Sequence, residues 1–313
     1  MKVFVAGANG AIGKQLIPQL VAAGHEVVAM SRTSRGAEQA RAQGAKPVVA
    51  DALDRDAVVR AVREAAPKVV IHELTALTGL KDFKNFDREF AMTNRLRTEA
   101  TDYLLEGARA AGARRIVAQS YGSWTYEPGG DAIKTEDDPL DPNPPANQRQ
   151  SMAAIRYMEQ AVVTADGIEG IALRYGSFYG PGTNMALRGD MAEMVRKRMA
   201  PIIGDGAGVW SFLHVEDAAA ATVAAMQRGA PGIYNVADDD PAPVSVWLPE
   251  YARIIGANPP LRVPVWLGRL VAGEVGVSLM TRIRGISNAK AKRELGWSPI
   301  YASWREGFKA ALG

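Results

Sequence analysis

Residues 2–13 of the chain read Lys2-Val3-Phe4-Val5-Ala6-Gly7-Ala8-Asn9-Gly10-Ala11-Ile12-Gly13. The apolar run at 3–6 has the composition of a buried strand, and glycines follow it at positions 7, 10 and 13. In such a sequence Gly7 permits a tight turn and Gly10 lets backbone N–H groups approach a pyrophosphate, whereas Gly13 lets the following helix lie close to the sheet. The spacing predicts a strand, a turn and a helix that together bind a dinucleotide.

The alternation of strands and helices continues beyond this stretch. Short apolar runs alternate with alanine-rich stretches, and these runs lie at 3–6, 26–30, 46–50, 68–72, 115–119, 170–174 and 232–236. Helices are predicted at 13–23 and 93–111, each ended by a glycine. This order indicates an α/β protein with a Rossmann-type, doubly wound parallel sheet.

The later part of the chain is expected to add a smaller unit. We assign residues 1–175 to a dinucleotide-binding Rossmann domain, to which 208–237 returns, and 176–207 and 238–313 to a C-terminal substrate-binding cap. A helix is predicted at 185–199. The prolines and glycines of 127–150 predict a long loop, which fits a lid or binding segment and a plain surface excursion equally well.

The composition excludes several classes of protein. The 313 residues include no cysteine, so disulfides, a thiolate nucleophile and a zinc–thiolate site are excluded, and no metal is expected. Lysines and arginines are scattered among 34 acidic residues for a formal net charge of +3, which argues against nucleic acid as a partner. With neither a signal-peptide pattern nor an apolar stretch of about 20 residues, we expect a soluble cytoplasmic protein with no membrane partner.

The end of the second predicted strand bears on the choice of cofactor. An acidic side chain there would accept hydrogen bonds from the adenosine 2′-hydroxyl and repel a 2′-phosphate, but the chain has Ser31 and Arg32, with Arg35 nearby. NADP is therefore favoured over NAD, unless the two arginines only form a solvated loop. After the third strand Asp51 could accept from the adenine amino group, whereas Asp54 fits a helix N-cap equally well.

These features, with others along nearly the whole chain, resemble the extended short-chain dehydrogenase/reductase family, which includes nucleotide-sugar epimerases, dehydratases and 3β-hydroxysteroid dehydrogenases. The further segments that carry the resemblance are Asp51-Ala52, His72 with Leu74-Thr75, Asn94, Arg174 with Tyr179-Gly180-Pro181-Gly182, Phe212-Leu213-His214-Val215-Glu216-Asp217, Tyr234-Asn235-Val236 and Lys292 to Trp297. We expect His72, at the end of the fourth strand, to be a structural hydrogen-bond donor, because a lone histidine there is seldom catalytic.

The resemblance implies that a nicotinamide ring lies between the ends of the fourth, fifth and sixth strands. The predicted cofactor-binding residues are Gly7, Asn9, Gly10, Ala11, Ile12, Gly13, Ser31, Arg32, Arg35, Asp51, Ala52, Leu74, Thr75, Ser120, Tyr175, Ser177 and Phe178.

The catalytic pair of that family is missing. Its chemistry rests on a tyrosine whose pKa is lowered by a lysine four residues later. Here the two positions hold Ser151 and Ile155 in one alignment and Ala146 and Gln150 in another, and no lysine has a tyrosine four residues before it.

The proton donor is therefore expected from the turn after the fifth strand. Tyr121 is the preferred donor, with Ser120 and Ser123 as the other hydroxyls of this turn. The alternative is that Tyr121 packs against the cap while the serines satisfy backbone groups.

The predicted substrate is small and not a nucleotide. Trp210 stands where nucleotide-sugar members have a phosphate-binding arginine, and an indole cannot neutralise a diphosphate, although Trp210 could equally be interface packing. The leading hypothesis is an NADP-dependent oxidoreductase that acts on a carbonyl or alcohol, with a homodimer as one expectation for its assembly. The alternatives are an epimerase, dehydratase or lyase that uses bound NAD(P), and a non-catalytic NADP-binding regulatory protein.

Overall fold

A seven-stranded sheet forms the centre of the computed structural model, which describes residues 1–77 and 82–312. Its strands are β1 (Lys2–Ala6), β2 (Glu26–Ser31), β3 (Lys46–Val49), β4 (Val69–His72), β5 (Arg115–Tyr121), β6 (Glu169–Tyr175) and β7 (Gly232–Val236). They are ordered β7-β6-β5-β4-β1-β2-β3, and every neighbouring pair is parallel. The predicted Rossmann-type sheet is confirmed, with each strand within two residues of its expected ends.

Helices cover both faces of the sheet. They are α1 (Ala11–Ala22), α2 (Ser34–Ala42), α3 (Arg55–Ala65), α4 (Phe86–Glu89), α5 (Ala91–Ala110), α6 (Arg149–Val163), α7 (Asp190–Arg196), α8 (Val215–Gln227), α9 (Val244–Ile254), α10 (Val265–Thr281) and α11 (Trp304–Leu312). One apolar core lies between the sheet and α1 and α8, and a second lies between the sheet and α3, α5 and α6. At the start of α3, Asp54 accepts a hydrogen bond from the Ala57 N–H at 3.0 Å, which confirms the N-cap.

The C-terminal part has an aromatic core of its own. It packs Trp247 and Tyr251 of α9 and Trp304 and Phe308 of α11 around Phe212. The predicted helix at 185–199 is wrong in length, because α7 covers only Asp190–Arg196. The chain turns immediately before it, where a Cβ on Gly189 would lie 2.1 Å from the Asn184 carbonyl oxygen.

The proline-rich segment at 127–150 is mostly irregular, as predicted, but it is tied to the rest of the fold. Ile133–Lys134 pairs in parallel with Gly285–Ile286, and Tyr126 bridges Leu140. Helix α6 then begins at Arg149. Across the described part of the chain, none of the helices is both long and apolar enough for a membrane crossing.

A carboxyl group is buried inside the core beneath β4. Glu73 follows β4 and is 4% exposed. Its Oε1 accepts hydrogen bonds from the Tyr175 hydroxyl at 3.3 Å and the Thr222 hydroxyl at 3.4 Å, while Oε2 has no partner among the described residues. Burial raises the pKa of Glu73 to about 8. The folded protein therefore holds this side chain as a neutral acid at neutral pH.

A buried ion pair joins α6 to the sheet. Arg174 of β6 donates from Nε and Nη2 to the two carboxylate oxygens of Glu159, each at 2.7 Å, and both side chains are at least 95% buried. The Arg174 Nη1 donates to the Tyr126 hydroxyl at 2.8 Å, which donates to the Asn235 Oδ1 of β7 at 2.8 Å. One chain of charge-assisted contacts therefore links the helix to two neighbouring strands.

We predict that Glu73→Gln weakens the pH dependence of the free energy of unfolding. In the wild type the unfolded carboxyl ionises near 4.5, whereas the folded one stays protonated up to about 8, so stability falls as the pH rises through that window. Each unit of difference between the folded and unfolded pKa contributes about 1.4 kcal/mol to the change in the free energy of unfolding. Urea denaturation at pH 5 and pH 8 measures it, with the exposed Glu64→Gln as the control. If wild type and Glu73→Gln lose the same free energy of unfolding between pH 5 and pH 8, Glu73 is not a neutral acid in the folded protein.

We predict that Glu159→Gln destabilises the fold by about 3–5 kcal/mol, because it leaves the Arg174 charge buried without a counter-ion. Denaturant unfolding measures the change, and Glu64→Gln on the surface of α3 should alter stability by less than about 0.5 kcal/mol. A loss for Glu159→Gln as small as that of the surface control would show that the pair does not stabilise the fold.

Candidate functional site

The turn between β1 and α1 forms a cradle at the carboxyl edge of the sheet. Gly7 adopts a φ of 100°, and the Gly10 N–H donates to the Gly7 carbonyl at 3.1 Å before α1 begins. A Cβ on Gly7 would lie 2.4 Å from the Glu73 carbonyl oxygen, and a Cβ on Gly13 would lie 2.4 Å from that of Gly7. The close packing brings the N-terminus of α1, with Ala11 and Ile12 in its first turn, to the edge where a pyrophosphate binds. The residues fit a dinucleotide.

The end of β2 is connected to this cradle by side chains. The Ser31 hydroxyl donates to the Asn9 Oδ1 at 2.7 Å, and the Asn9 Nδ2 donates to the Gly36 carbonyl at 3.0 Å. Thr33 caps α2 by accepting from the Gly36 N–H at 3.1 Å. The structure thus joins Asn9 and Ser31 from separate sequence motifs.

Two exposed arginines flank the start of α2. Arg32 and Arg35 both lie in the solvent, on either side of the capping Thr33. After β3, the exposed Asp51 accepts from the Leu53 N–H at 3.0 Å, next to the buried Ala52. The end of β2 is therefore followed by two exposed cations, and the end of β3 by a partly engaged carboxylate.

The other predicted cofactor residues lie after β4 and around the end of β6. Leu74, Thr75 and Phe178 are half-buried, and Ser177 is buried. The Tyr175 hydroxyl bonds to the Thr222 hydroxyl at 2.6 Å inside the core, and its contact with a cofactor stays a prediction.

The three candidate catalytic hydroxyls of the turn after β5 differ in their contacts, and Ser123 lies near enough to Tyr121 to help lower the pKa of that phenol. The buried Ser120 hydroxyl donates to Glu159 Oε1 at 2.6 Å. The Tyr121 hydroxyl bonds to the Ser177 hydroxyl at 2.9 Å, and burial raises the pKa of Tyr121 above its usual range. Ser123 is 1% exposed, and its hydroxyl has no partner among the described residues. Of the three, Tyr121 is the one directed toward a predicted cofactor residue, and its role stays a prediction.

In the first alignment, the positions that would hold the family's tyrosine and lysine are both buried. Ser151 is fully buried, donates to Asp87 Oδ1 at 2.7 Å and accepts from Asn94 Nδ2 at 3.1 Å. Ile155 is fully buried in an apolar cluster. In the other alignment, Ala146 and Gln150 are exposed.

Three aromatic rings pack together next to Tyr121. Phe86 and Phe90 stack with centroids 4.1 Å apart, and Trp124 meets them edge-on at 5.3 and 6.5 Å. The ring of Tyr121 lies 5.8 Å from that of Trp124. We call these four residues the aromatic cluster. Phe86, Phe90 and Trp124 are at most 9% exposed, so their rings form packed core beside the candidate proton donor.

A cleft of about 390 Å³ separates the proline-rich segment from α10. Its walls include Pro128, Asp141 and Asn143 on one side and Glu274 and Ser278 on the other. Within residues 1–77 and 82–312, no three acidic or histidine side chains come together in a way that could hold a metal ion.

His72 and Trp210 are structural residues. The His72 Nε2 lies 3.1 Å from the Thr101 hydroxyl, its Nδ1 accepts from the Leu74 N–H at 3.2 Å, and burial lowers its pKa to about 4. Trp210 donates to the Leu279 carbonyl at 2.9 Å and packs 4.9 Å from the Trp247 ring. The packing alternative for Trp210 is thus what the structure contains.

The sequence reasoning missed a buried arginine. Arg97 is 5% exposed, and its Nε and Nη1 have no hydrogen-bond partner among the described residues. It lies on the buried face of α5, together with Leu96, Ala100, Thr101 and Leu104. An arginine within the apolar stripe of a helix was the available signal, because such a position normally holds an apolar residue.

Solved structures share the fold over almost the whole chain. The UDP-glucose 4-epimerase of Thermotoga maritima, solved with UDP-glucose, superposes with a TM-score of 0.77 at 22% identity and covers 99% of this chain and 97% of its own. The UDP-glucose 4-epimerase of Thermus thermophilus, solved with NAD, gives a TM-score of 0.74 at 24% identity over 99% and 97%.

Sequence relatives include reductases. A Streptomyces protein named 3-diazoavenalumate denitrifying reductase is 46% identical over 308 residues, which cover 98% of this chain and 99% of that protein. A 2-alkyl-3-oxoalkanoate reductase of Stenotrophomonas maltophilia is 25% identical over 272 residues, which cover 82% and 76%.

The family signature spans most of the chain. Residues 3–237 match the sequence model of the NAD dependent epimerase/dehydratase family. With the reductases above, this match confirms the resemblance to the extended short-chain dehydrogenases/reductases and the expected oxidoreductase-type enzyme with a nicotinamide dinucleotide cofactor. The chain belongs to the NAD-dependent epimerase/dehydratase family.

Proposed function

We propose that this chain is an NADPH-dependent reductase of a small, non-nucleotide substrate. The observation that carries the proposal is the cradle of Gly7 and Gly13, which Asn9 joins to Ser31 beside the exposed Arg32 and Arg35. A 2′-phosphate at the end of β2 would meet the Ser31 hydroxyl, the N-terminus of α2 and the guanidinium groups of Arg32 and Arg35. Residues 31–35 include no carboxylate to oppose it.

The surroundings of the substrate support a non-nucleotide molecule. The indole of Trp210 is engaged with the Leu279 carbonyl and offers no charge to a diphosphate. The aromatic cluster is buried, so the packing next to Tyr121 is apolar. A small non-nucleotide substrate therefore fits better than a nucleotide sugar.

A carbonyl is the first candidate for the group that is reduced. A dinucleotide held by the Gly7–Gly13 cradle would supply hydride chemistry, and the chain itself would have to supply a proton to the carbonyl oxygen. Tyr121 is our candidate for that proton, because its hydroxyl bonds to Ser177 at the end of β6 and its ring contacts the aromatic cluster. The reverse reaction oxidises an alcohol through the same groups.

A diazo group is the second candidate. The relative with 46% identity is named for denitrifying 3-diazoavenalumate, and this chain lacks the tyrosine and lysine that protonate a carbonyl oxygen. An arenediazonium is already cationic, so hydride can add to its terminal nitrogen without a proton donor. The resulting aryldiazene, Ar–N=N–H, loses N₂ and leaves Ar–H, which balances the two electrons supplied by the hydride.

Four further expectations from the sequence stay predictions. A lyase or epimerase reaction with bound cofactor and a non-catalytic binding role remain alternatives, which the assays below separate from a reductase. The homodimer and the cytoplasmic location remain predictions from the sequence.

We predict that NADPH binds at least about tenfold more tightly than NADH, a difference of about 1.4 kcal/mol. Isothermal titration calorimetry measures both affinities, and Arg32→Ala should weaken NADPH binding while leaving NADH binding nearly unchanged. Arg41→Ala, at the far end of α2, is the matched control. Equal affinities in the wild type, or a preference for NADH, would contradict the assignment of Ser31 and Arg32.

We predict that NADPH is oxidised when aromatic carbonyl or arenediazonium compounds are added. The decrease in NADPH absorbance measures the rate. If the carbonyl is the natural group, Tyr121→Phe should lower turnover by about 100-fold or more with intact NADPH binding, whereas Ser123→Ala should not. If the diazo group is the natural group, Tyr121→Phe should leave the rate of NADPH oxidation intact. Mass spectrometry should then detect ¹⁵N₂ released from a substrate labelled with ¹⁵N. NADPH binding without oxidation by either class would overturn the reductase proposal.

A further inference from the structure

The first half of α10 presents large apolar side chains to solvent. Trp266 is 64% exposed, Leu270 62% and Val271 56%, and Leu261, just before the helix, is 46% exposed. Trp266 and Leu270 are four residues apart, so they lie on the same side of the helix. We call these four residues the apolar face of α10. Single exposed apolar side chains are ordinary on a protein surface, but a group of them marks an interaction site.

The opposite side of this half-helix is fixed to the fold. Ile202–Ile203 pairs in parallel with Arg262–Val263, which leads into α10. A Cβ on Gly268 would lie 2.4 Å from the Ile203 side chain, so the glycine lets the helix lie directly on this strand pair. At Gly273 the backbone leaves helical geometry, with a φ of 71°, and the second half of α10 then packs into the core. The apolar face is therefore held outward on a supported piece of helix.

Two cations near this face have no acidic partner. Arg262 directly follows Leu261, and Arg198 donates to the Pro259 carbonyl at 3.3 Å, so both guanidinium groups belong to the surroundings of Leu261. Within residues 1–77 and 82–312, neither arginine forms an ion pair. Residues 187–205 and 258–272 contain six basic and three acidic residues, an excess equal to the formal net charge of +3 of the whole chain. The surface is thus both apolar and basic.

An anionic lipid surface fits this combination better than another protein does. A second copy that paired through the same face in a two-fold dimer would bring the same arginines together. A peptide helix would need a groove, whereas the cleft beside the proline-rich segment borders the second half of α10. A bilayer needs only apolar side chains that reach the headgroup region and cations that meet lipid phosphates. Tryptophan is enriched at that interface.

We propose that the first half of α10 is a docking site for an anionic membrane surface. Trp266 and Leu270 enter the headgroup region, and Arg198 and Arg262 contact the lipid phosphates. The attachment is peripheral, so it replaces the expectation of no membrane partner, which was based on the lack of a spanning stretch. The inference goes beyond the proposed function and does not depend on it.

Co-sedimentation with vesicles of about 70% POPC and 30% POPG tests the proposal. The wild-type protein should bind these vesicles and be released at about 0.5 M NaCl, because salt screens the arginines. Trp266→Glu should weaken binding at least about tenfold, and Arg262→Glu should weaken it on POPG vesicles but not on pure POPC. Val246→Glu adds the same charge at a 41% exposed position of α9 and is the matched control, which should bind as wild type does.

Intrinsic fluorescence gives a second measurement. The chain has six tryptophans, all within the described residues, and five of them are buried or half-buried. A blue shift of the emission on addition of the POPG vesicles would therefore report insertion of the exposed Trp266.

Absence of wild-type binding to the POPG vesicles would overturn the proposal, as would equal binding of Trp266→Glu and Val246→Glu. Light scattering after size-exclusion chromatography tests the second copy. A wild-type dimer that Trp266→Glu dissociates, with no vesicle binding, would assign the face to self-association and refute the lipid site. Thermal unfolding checks that each variant is folded. If Trp266→Glu does not fold, Trp266→Ala against Val246→Ala makes the same comparison, with binding again weaker only for the tryptophan variant.

Discussion

The ion pair between Glu159 and Arg174 is the interaction on which the site depends. It buries both charges at two distances of 2.7 Å and fixes α6 against β6. Because Glu159 also holds the Ser120 hydroxyl at 2.6 Å, the end of β5 is set by the same pair. Glu159 has little capacity left for another donor. The orientation of Ser120 and the position of α6 therefore both follow from the contacts of one buried carboxylate.

The second constraint is the order of the parallel strands. With β1 next to β4, Ala6 lies beside His72, and the backbone of Glu73 comes against Gly7. The same edge carries the ends of β5 and β6, where Tyr121 lies beside Tyr175. A dinucleotide that lies on the cradle would run along this edge, since ligands of open α/β sheets bind outside the carboxyl ends of the strands. The position of Tyr121 is thus a consequence of strand order before any chemistry is considered.

The sequence was sufficient for the parts of the molecule that depend on local pattern. Glycine spacing and apolar runs located the cradle and all seven strands, because these signals lie within a few residues of one another. It was insufficient for Glu73 and Glu159, whose hydrogen-bond partners lie far away in the chain. Ser120 was expected near the nicotinamide, but its bond to Glu159, 39 residues away, could not be read from either residue's neighbours. The sequence pattern also overestimated the length of α7. The chain turns at Gly189, where the backbone passes close to the Asn184 carbonyl oxygen.

The two candidate substrate groups place different demands on the site. A ketone is neutral, and negative charge develops on its oxygen as hydride arrives, so it needs a proton donor at that oxygen. An arenediazonium is cationic and loses its charge when hydride adds to the terminal nitrogen, so it needs no donor. Ser151 and Ile155 do not supply one, because the Ser151 hydroxyl is held by Asp87 and Asn94 and Ile155 is packed in an apolar cluster. A carbonyl substrate therefore depends on a hydroxyl elsewhere, with Tyr121 as the candidate, whereas a diazo substrate does not.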